Sequence, residues 1–123
     1  MKPICSNAVF QISDLEKSIA FYTGVLGFEL DFKYGEPNFY AGLNLGPVSL
    51  HLNTNNRFKD YTGRGHIYIF CDEVDTLYDD LVKKGVKINS PIGDQAYGLR
   101  DFNISDPDGN MLGFGASLEE KSE

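Results

Sequence analysis

The stretch HIYIFCDEVDTLYDDLVKKGVKINS, residues 66–90, decides how this chain folds. Its first six residues read as a strand. After Asp72 or Glu73, the apolar residues Val74, Leu77, Tyr78, Leu81 and Val82 return every three or four positions. That spacing puts them on one face of an α-helix. Gly85 closes the helix, because a residue without a Cβ takes the left-handed terminal conformation at no steric cost. Residues 86–90 then supply a strand, followed by LRDFNIS (99–105) and NMLGFGA (110–116). The turn between the last two is DPDG (106–109), in which Pro107 fixes φ and Gly109 permits a left-handed position. The order is β-α-β-β-β.

The N-terminal half has the same order. CSNAVFQI (5–12) reads as a strand, and Ser13-x-x-Glu16 offers a capping box. Leu15, Ile19, Tyr22 and Leu26 line one helical face, which ends near Gly27. Strands at 28–34, 38–45 and 48–53 follow, separated by GEP and GP turn signals, and a polar loop fills 54–65. F21-Y22 before G27-F28 is echoed by L77-Y78 before G85-V86, a period near 58 residues. That period is too long for most solenoids, and two copies are too few for an array. Each copy is too small to bury its own sheet face. The expectation is therefore an α+β fold of two tandem βαβββ modules, whose curved mixed sheets enclose a cleft. The expected boundaries are one domain over 1–118, made of modules 1–56 and 62–118, with an acidic tail at 119–123.

The composition narrows the function classes. A chain of 123 residues with 41% apolar content is long enough for one core and too short for a two-domain enzyme. Acidic residues number 18 against 11 Lys and Arg, a formal charge of −7. Such a surface repels phosphate backbones and attracts cations, which disfavours nucleic acid and favours a cationic small molecule. Residues 65–118 carry nine acidic against four basic residues, while 1–56 carry five against three, so the acidity is concentrated in the second module. Cys5 and Cys71 read as small apolar residues, with no CxxC spacing between them. No run of 18 apolar residues and no signal-peptide pattern is found, so the expectation is a cytoplasmic protein without a membrane span.

The chemistry-bearing residues are few. His51 lies on the polar side of V48-S49-L50-H51-L52, where it could ligate a metal, move a proton, bind an anion or amide, or be a hydrogen-bonded structural histidine. His66 starts the strand after G63-R64-G65 and is equally compatible with a ligand contact and a local backbone bond. No HxxH, HExxH or cysteine cluster adds to either. GxSxG is absent, and GLNLG and GFG do not stand between a strand and a helix as a dinucleotide fingerprint requires. Phe39, Tyr40, Phe58, Tyr61, Tyr97 and Phe102 surround the hairpins and loops and offer stacking faces to a planar ligand. Arg100 and Asp101 read as a pair at the rim.

D14-L-x-x-S-x-x-F-Y-x-x-V-L-G-F28 and D106-P-D-G-N110, within an order that repeats over nearly the whole chain, resemble the vicinal oxygen chelate superfamily. That group contains glyoxalase I, extradiol dioxygenases, and fosfomycin- and bleomycin-resistance proteins. The resemblance implies paired βαβββ modules. It also implies a metal cage whose four positions fall here on Asn7, His51, His66 and Gly113. The histidines suit a metal; an amide and a glycine do not supply the charge or the ligands that Lewis-acid chemistry needs. YGLRDFNISDPDGNMLGFG is similar to the C-terminal part of bleomycin-resistance proteins, which implies a non-enzymatic homodimer sequestering a cationic, partly planar compound. The expected ligand-binding residues are Phe39, His51, Tyr61, His66, Tyr97, Arg100 and Phe102, with no cofactor, no metal and no catalytic residue. The alternatives are two. One is a metal-dependent lyase, thiol transferase or dioxygenase with Zn, Ni, Mn or Fe on His51 and His66, helped by a carboxylate such as Glu36. The other is a non-catalytic assembly or regulatory module.

Overall fold

The computed structural model describes residues 1–118, so the expected acidic tail lies outside the described residues. The chain divides into two compact units, one from Met1 to Gly65 and one that begins at His66. Each has the order β-α-β-β-β, and the fold is α+β.

In the first unit, β1 (Ala8–Gln11), β2 (Glu29–Tyr34), β3 (Tyr40–Leu45) and β4 (Val48–Asn53) form one mixed sheet in the order β1-β4-β3-β2. β1 runs parallel to β4, and the other pairs are antiparallel. Alternation decides what is buried: Phe10, Ala41, Leu43, Leu50 and Leu52 point to one side, where helix α1 (Leu15–Ala20) packs on β3 and β4. The helix continues as a π-helical turn, Phe21–Val25, in which the Leu26 amide donates to the Phe21 carbonyl. Tyr22 is fully buried there, edge-on to Phe21 and Phe28. Gly27, at φ +82°, ends the segment as its sequence position implies.

The capping box is corrected. Asp14, not Ser13, is the N-cap, and its carboxylate accepts from the Lys17 amide at 3.1 Å. Glu16 reaches outward to the Lys33 ammonium, also at 3.1 Å. A carboxylate one residue further on meets the third amide of the helix and takes the cap position. The polar loop contains a short 3-10 segment, Asn56–Tyr61, capped by the Asn55 side chain. Cys5 is exposed and Cys71 half-buried; both are free thiols, so Cys5 does not serve the core.

In the second unit, β5 (His66–Phe70), β6 (Ile88–Asp94), β7 (Leu99–Ser105) and β8 (Met111–Ser117) repeat the arrangement in the order β5-β8-β7-β6. β5 is parallel to β8. Helix α2 (Val74–Lys83) packs on β6, β7 and β8, placing Val74 and Leu81 against Phe102, Ile104, Leu112 and Phe114. Val82, expected on that face, is 47% exposed at its margin. The N-cap Glu73 has φ +47° and makes no side-chain cap bond. β6 runs longer than its sequence suggests, through Pro91. It is an edge strand with irregular register between Ile88 and Gly93, where a residue lacking an N–H costs no ladder bond.

DPDGN is a structural turn. One oxygen of Asp106 accepts from the amides of Asp108 and Asn110, both at 2.9 Å, and the other accepts from Asn110 Nδ2 at 3.0 Å. Asp106 and Asn110 are buried, and Gly109 sits at φ +101°. The most specific text in the chain therefore sets the β7–β8 hairpin. Among the described residues, no helix is long and apolar enough to cross a membrane.

Candidate functional site

The face of the second sheet opposite α2 carries a pocket of about 280 Å³. Period-two alternation brings its parts together: His66 and Tyr68 from β5, Asp101 and Asn103 from β7, and Gly113 on β8 between them. Tyr68 is in register with Gly113, and Gly113 with Asn103. The Tyr68 ring lies across β8. A Cβ built on Gly113 would stand 2.7 Å from Tyr68 Cδ1, and one on Gly115 would overlap the Tyr68 hydroxyl. The two glycines thus make the bed on which the ring rests, and this lets the phenol reach over one strand to the next.

What it reaches is Asp101, at 2.8 Å. Tyr97, in the β6–β7 turn, donates to the same carboxylate oxygen at 2.5 Å. Asp101 is only 7% exposed, whereas Tyr97 is 65% exposed and forms a wall of the pocket. Burial, then the hydrogen bond to Asp101, push the Tyr68 phenol up from its ordinary value. The Asp101 bond is the main cause of the rise at Tyr97, with burial adding to it. Both phenols remain neutral donors over the physiological range.

Arg100 and Asp101 do not form a rim pair. Neighbouring residues of a strand point to opposite faces. Arg100 meets Asp75 of α2 at 2.8 Å and Asp94, at the end of β6, at 2.9 Å. Phe102 borders the pocket from below, but its ring is buried between Tyr78 and Phe114.

The first unit has an aromatic cluster on the sheet face away from α1. Tyr40 Oη and His51 Nδ1 are 2.8 Å apart, and Phe32 lies edge-on to His51 and stacked near Tyr40, above Gly42. Burial raises the Tyr40 phenol. A separate pocket of about 370 Å³ is lined by Val9, Gln11, Phe58, Tyr61, Arg64 and Gly65. Tyr61 is 62% exposed and offers its ring there. Phe39 is not among the residues around these pockets; it packs edge-on to Tyr34 in the β2–β3 hairpin. Glu36 is exposed in that hairpin's turn.

Of the expected residues, His66, Tyr97 and Phe102 come together in the second unit, while His51, Tyr61 and Phe39 occupy separate places in the first. Sequence reasoning missed Tyr68 altogether and saw Asp101 only as a partner for Arg100. A usable signal existed: Tyr68 stands two residues from His66 on a strand, and G113-x-G115 clears the neighbouring strand of side chains.

Two of the four metal positions implied by the family do not fit a metal here: Asn7 is exposed and turns its amide toward the Ala8 carbonyl, and the Tyr68 ring covers the place where a side chain from position 113 would project. His51, which meets Tyr40 through Nδ1, and the exposed His66 are the two that keep a ligating nitrogen. Among the described residues, no group of three or more His, Cys, Asp or Glu could hold a metal ion.

The family model described as Glyoxalase/Bleomycin resistance protein/Dioxygenase superfamily matches residues 6–114. The chain belongs to this superfamily. Within it, the chain is 34% identical over 115 residues to the metallothiol transferase FosB of Lysinibacillus sphaericus, covering 89% of this chain and 79% of that protein. It is 30% identical over 120 residues to a bleomycin resistance protein of Geobacillus stearothermophilus, covering 84% and 89%. Among solved structures, the bleomycin-binding protein of Streptomyces verticillus, complexed with copper(II)-bleomycin, superposes with a TM-score of 0.73 at 25% identity, covering 95% and 98% of the two chains. The superfamily thus includes both binding proteins and metal enzymes, and only the residues of this chain can separate them.

Proposed function

We propose that the protein binds and sequesters a cationic or aromatic, antibiotic-like small molecule without a metal and without chemically changing it. One observation carries the reading: the Tyr68 ring occupies the space beside Gly113, the position that resemblance to the metal-dependent relatives assigns to a ligand. A carboxylate introduced at 113 has to displace that ring and break its bond to Asp101. Likeness to bleomycin-resistance and bleomycin-binding proteins supports the same reading, as do the exposed rings of Tyr61, Phe58 and Tyr97 beside their pockets. The binding residues in this proposal are Tyr61 in the first unit and His66 and Tyr97 in the second. A cytoplasmic homodimer completes it; light scattering tests the dimer, and fractionation of the native host tests the location. The functional test is expression in a bleomycin-sensitive bacterium, followed by mass spectrometry of the recovered drug. Protection with the drug recovered at its original mass is expected; protection with an altered drug overturns sequestration.

A metal-dependent transferase or lyase is the second reading. It is favoured by the likeness to a metallothiol transferase and by His66 at the edge of the second-unit pocket. It requires protein purified without a histidine tag to carry about one divalent metal per chain and to lose it in His66→Ala.

A further inference from the structure

We infer that Asp101 anchors a protonated nitrogen group, an ammonium or amidinium, at the floor of the second-unit pocket. This rests on the proposed sequestering role and specifies which part of the ligand this pocket takes.

Asp101 is 93% buried by its 7% exposure, yet both hydrogen bonds to its carboxylate come from neutral phenols. Among the described residues, no ion pair reaches it: Arg100, its neighbour in sequence, is engaged by Asp75 and Asp94 on the opposite face. A buried carboxylate with no countercharge is an expensive arrangement for a folded protein, and a bound cation removes much of that cost. The phenols stay protonated, so they orient the carboxylate without neutralising it.

A second acceptor lies along the same strand face. Asn103 Oδ1 is buried with no hydrogen-bond partner, while its Nδ2 makes only a long 3.4 Å contact with Ser90 Oγ. Residues two apart on a strand are separated by about 7 Å, so Asp101 and Asn103 present two acceptors to a group carrying N–H donors in more than one direction. The volume, about 280 Å³, suits a ring-sized head group and is too small for a whole glycopeptide. Tyr97, whose hydroxyl donates to Asp101, lines the same pocket with its exposed ring, which can stack on an aryl substituent or a cation.

The probes are benzamidine, which is cationic, and benzamide, its neutral near-isostere, titrated into the full chain and followed by calorimetry and by ¹H–¹⁵N chemical shifts. Wild-type protein is expected to bind benzamidine at least tenfold more tightly than benzamide, with the largest shifts at Tyr68, Tyr97, Asp101 and Asn103. Asp101→Asn keeps an acceptor for both phenols and is expected to lose the tenfold preference. Equal affinity for the two probes, binding of neither, or shifts confined to the first unit overturns the assignment, and these outcomes need no folded variant. A preference that survives in folded Asp101→Asn also overturns it. Bleomycin bound equally by wild type and Asp101→Asn leaves sequestration standing and removes the Asp101 anchor. Asp101-dependent benzamidine binding without bleomycin binding does the reverse.

Discussion

Gly113→Ala is the sharpest perturbation of the second unit, because its sign depends on one neighbouring ring. The added Cβ would meet Tyr68 Cδ1 at 2.7 Å and Cε1 at 3.2 Å, against an ordinary carbon contact of about 3.5–4 Å. The ring must therefore move by roughly 1 Å, away from β8 and from Asp101. Overpacking of this kind costs about 1–3 kcal/mol. Loss of the bond to the Asp101 carboxylate adds about 1.5–3 kcal/mol where it breaks fully, so the expected cost is about 1–3 kcal/mol with the bond kept and about 2.5–6 kcal/mol with it lost. In a Tyr68→Ala background the methyl meets no ring, and Gly113 is not at a positive φ. The substitution then stabilises by about 0.4–1 kcal/mol, through the lower entropy of the unfolded chain. Urea denaturation of the four proteins, followed by circular dichroism, closes the double-mutant cycle. The same cost in both backgrounds, or a cost below about 0.5 kcal/mol in the wild-type background, refutes the contact between Tyr68 and Gly113.

Other consequences follow from the same contacts. Asp106→Ala removes the acceptors of three hydrogen bonds in a buried turn and is expected to cost about 2–4 kcal/mol in urea denaturation. Asp14→Ala should cost about 1 kcal/mol in urea denaturation, because it removes the acceptor of the Lys17 amide at the helix N-terminus. The phenols of Tyr68 and Tyr97 are raised above the 10.0 of an unfolded chain, so their contribution to stability is complete below pH 10 and is lost as pH climbs through their folded values. Denaturation midpoints measured from pH 9 to 12 should therefore fall more steeply for the wild type than for a Tyr68→Phe, Tyr97→Phe double variant; parallel curves would show that these phenols are not coupled to folding.

The architecture was legible because periodicity is a local property. Val74, Leu77 and Leu81 mark α2 wherever it packs, and Gly27 and Gly85 both take the positive φ that their positions after a helix imply. Boundaries failed where a competing local interaction won. Asp14 outbids Ser13 for the helix amides, and β6 extends through Pro91 because an edge strand tolerates a missing donor. The site was less legible, since it is built across strands. Tyr68 and Gly113 are 45 positions apart, and only the β5–β8 register brings them together. Arg100 and Asp101 misled for the opposite reason: adjacency in sequence suggests a pair, and in a strand it guarantees opposite faces. His66 and Tyr97 could be named from residue type and loop position, but the carboxylate between them became visible only with the pairing of β7 and β8.

The most direct test of metal-free sequestration is a calorimetric titration of metal-free bleomycin into protein stripped of metals by chelation, repeated after one equivalent of Zn²⁺ is restored to the protein. A saturable isotherm is expected in the stripped protein, with a Kd changed less than twofold by the metal. Absence of binding in the stripped protein, with binding recovered on adding Zn²⁺, would contradict metal-free sequestration.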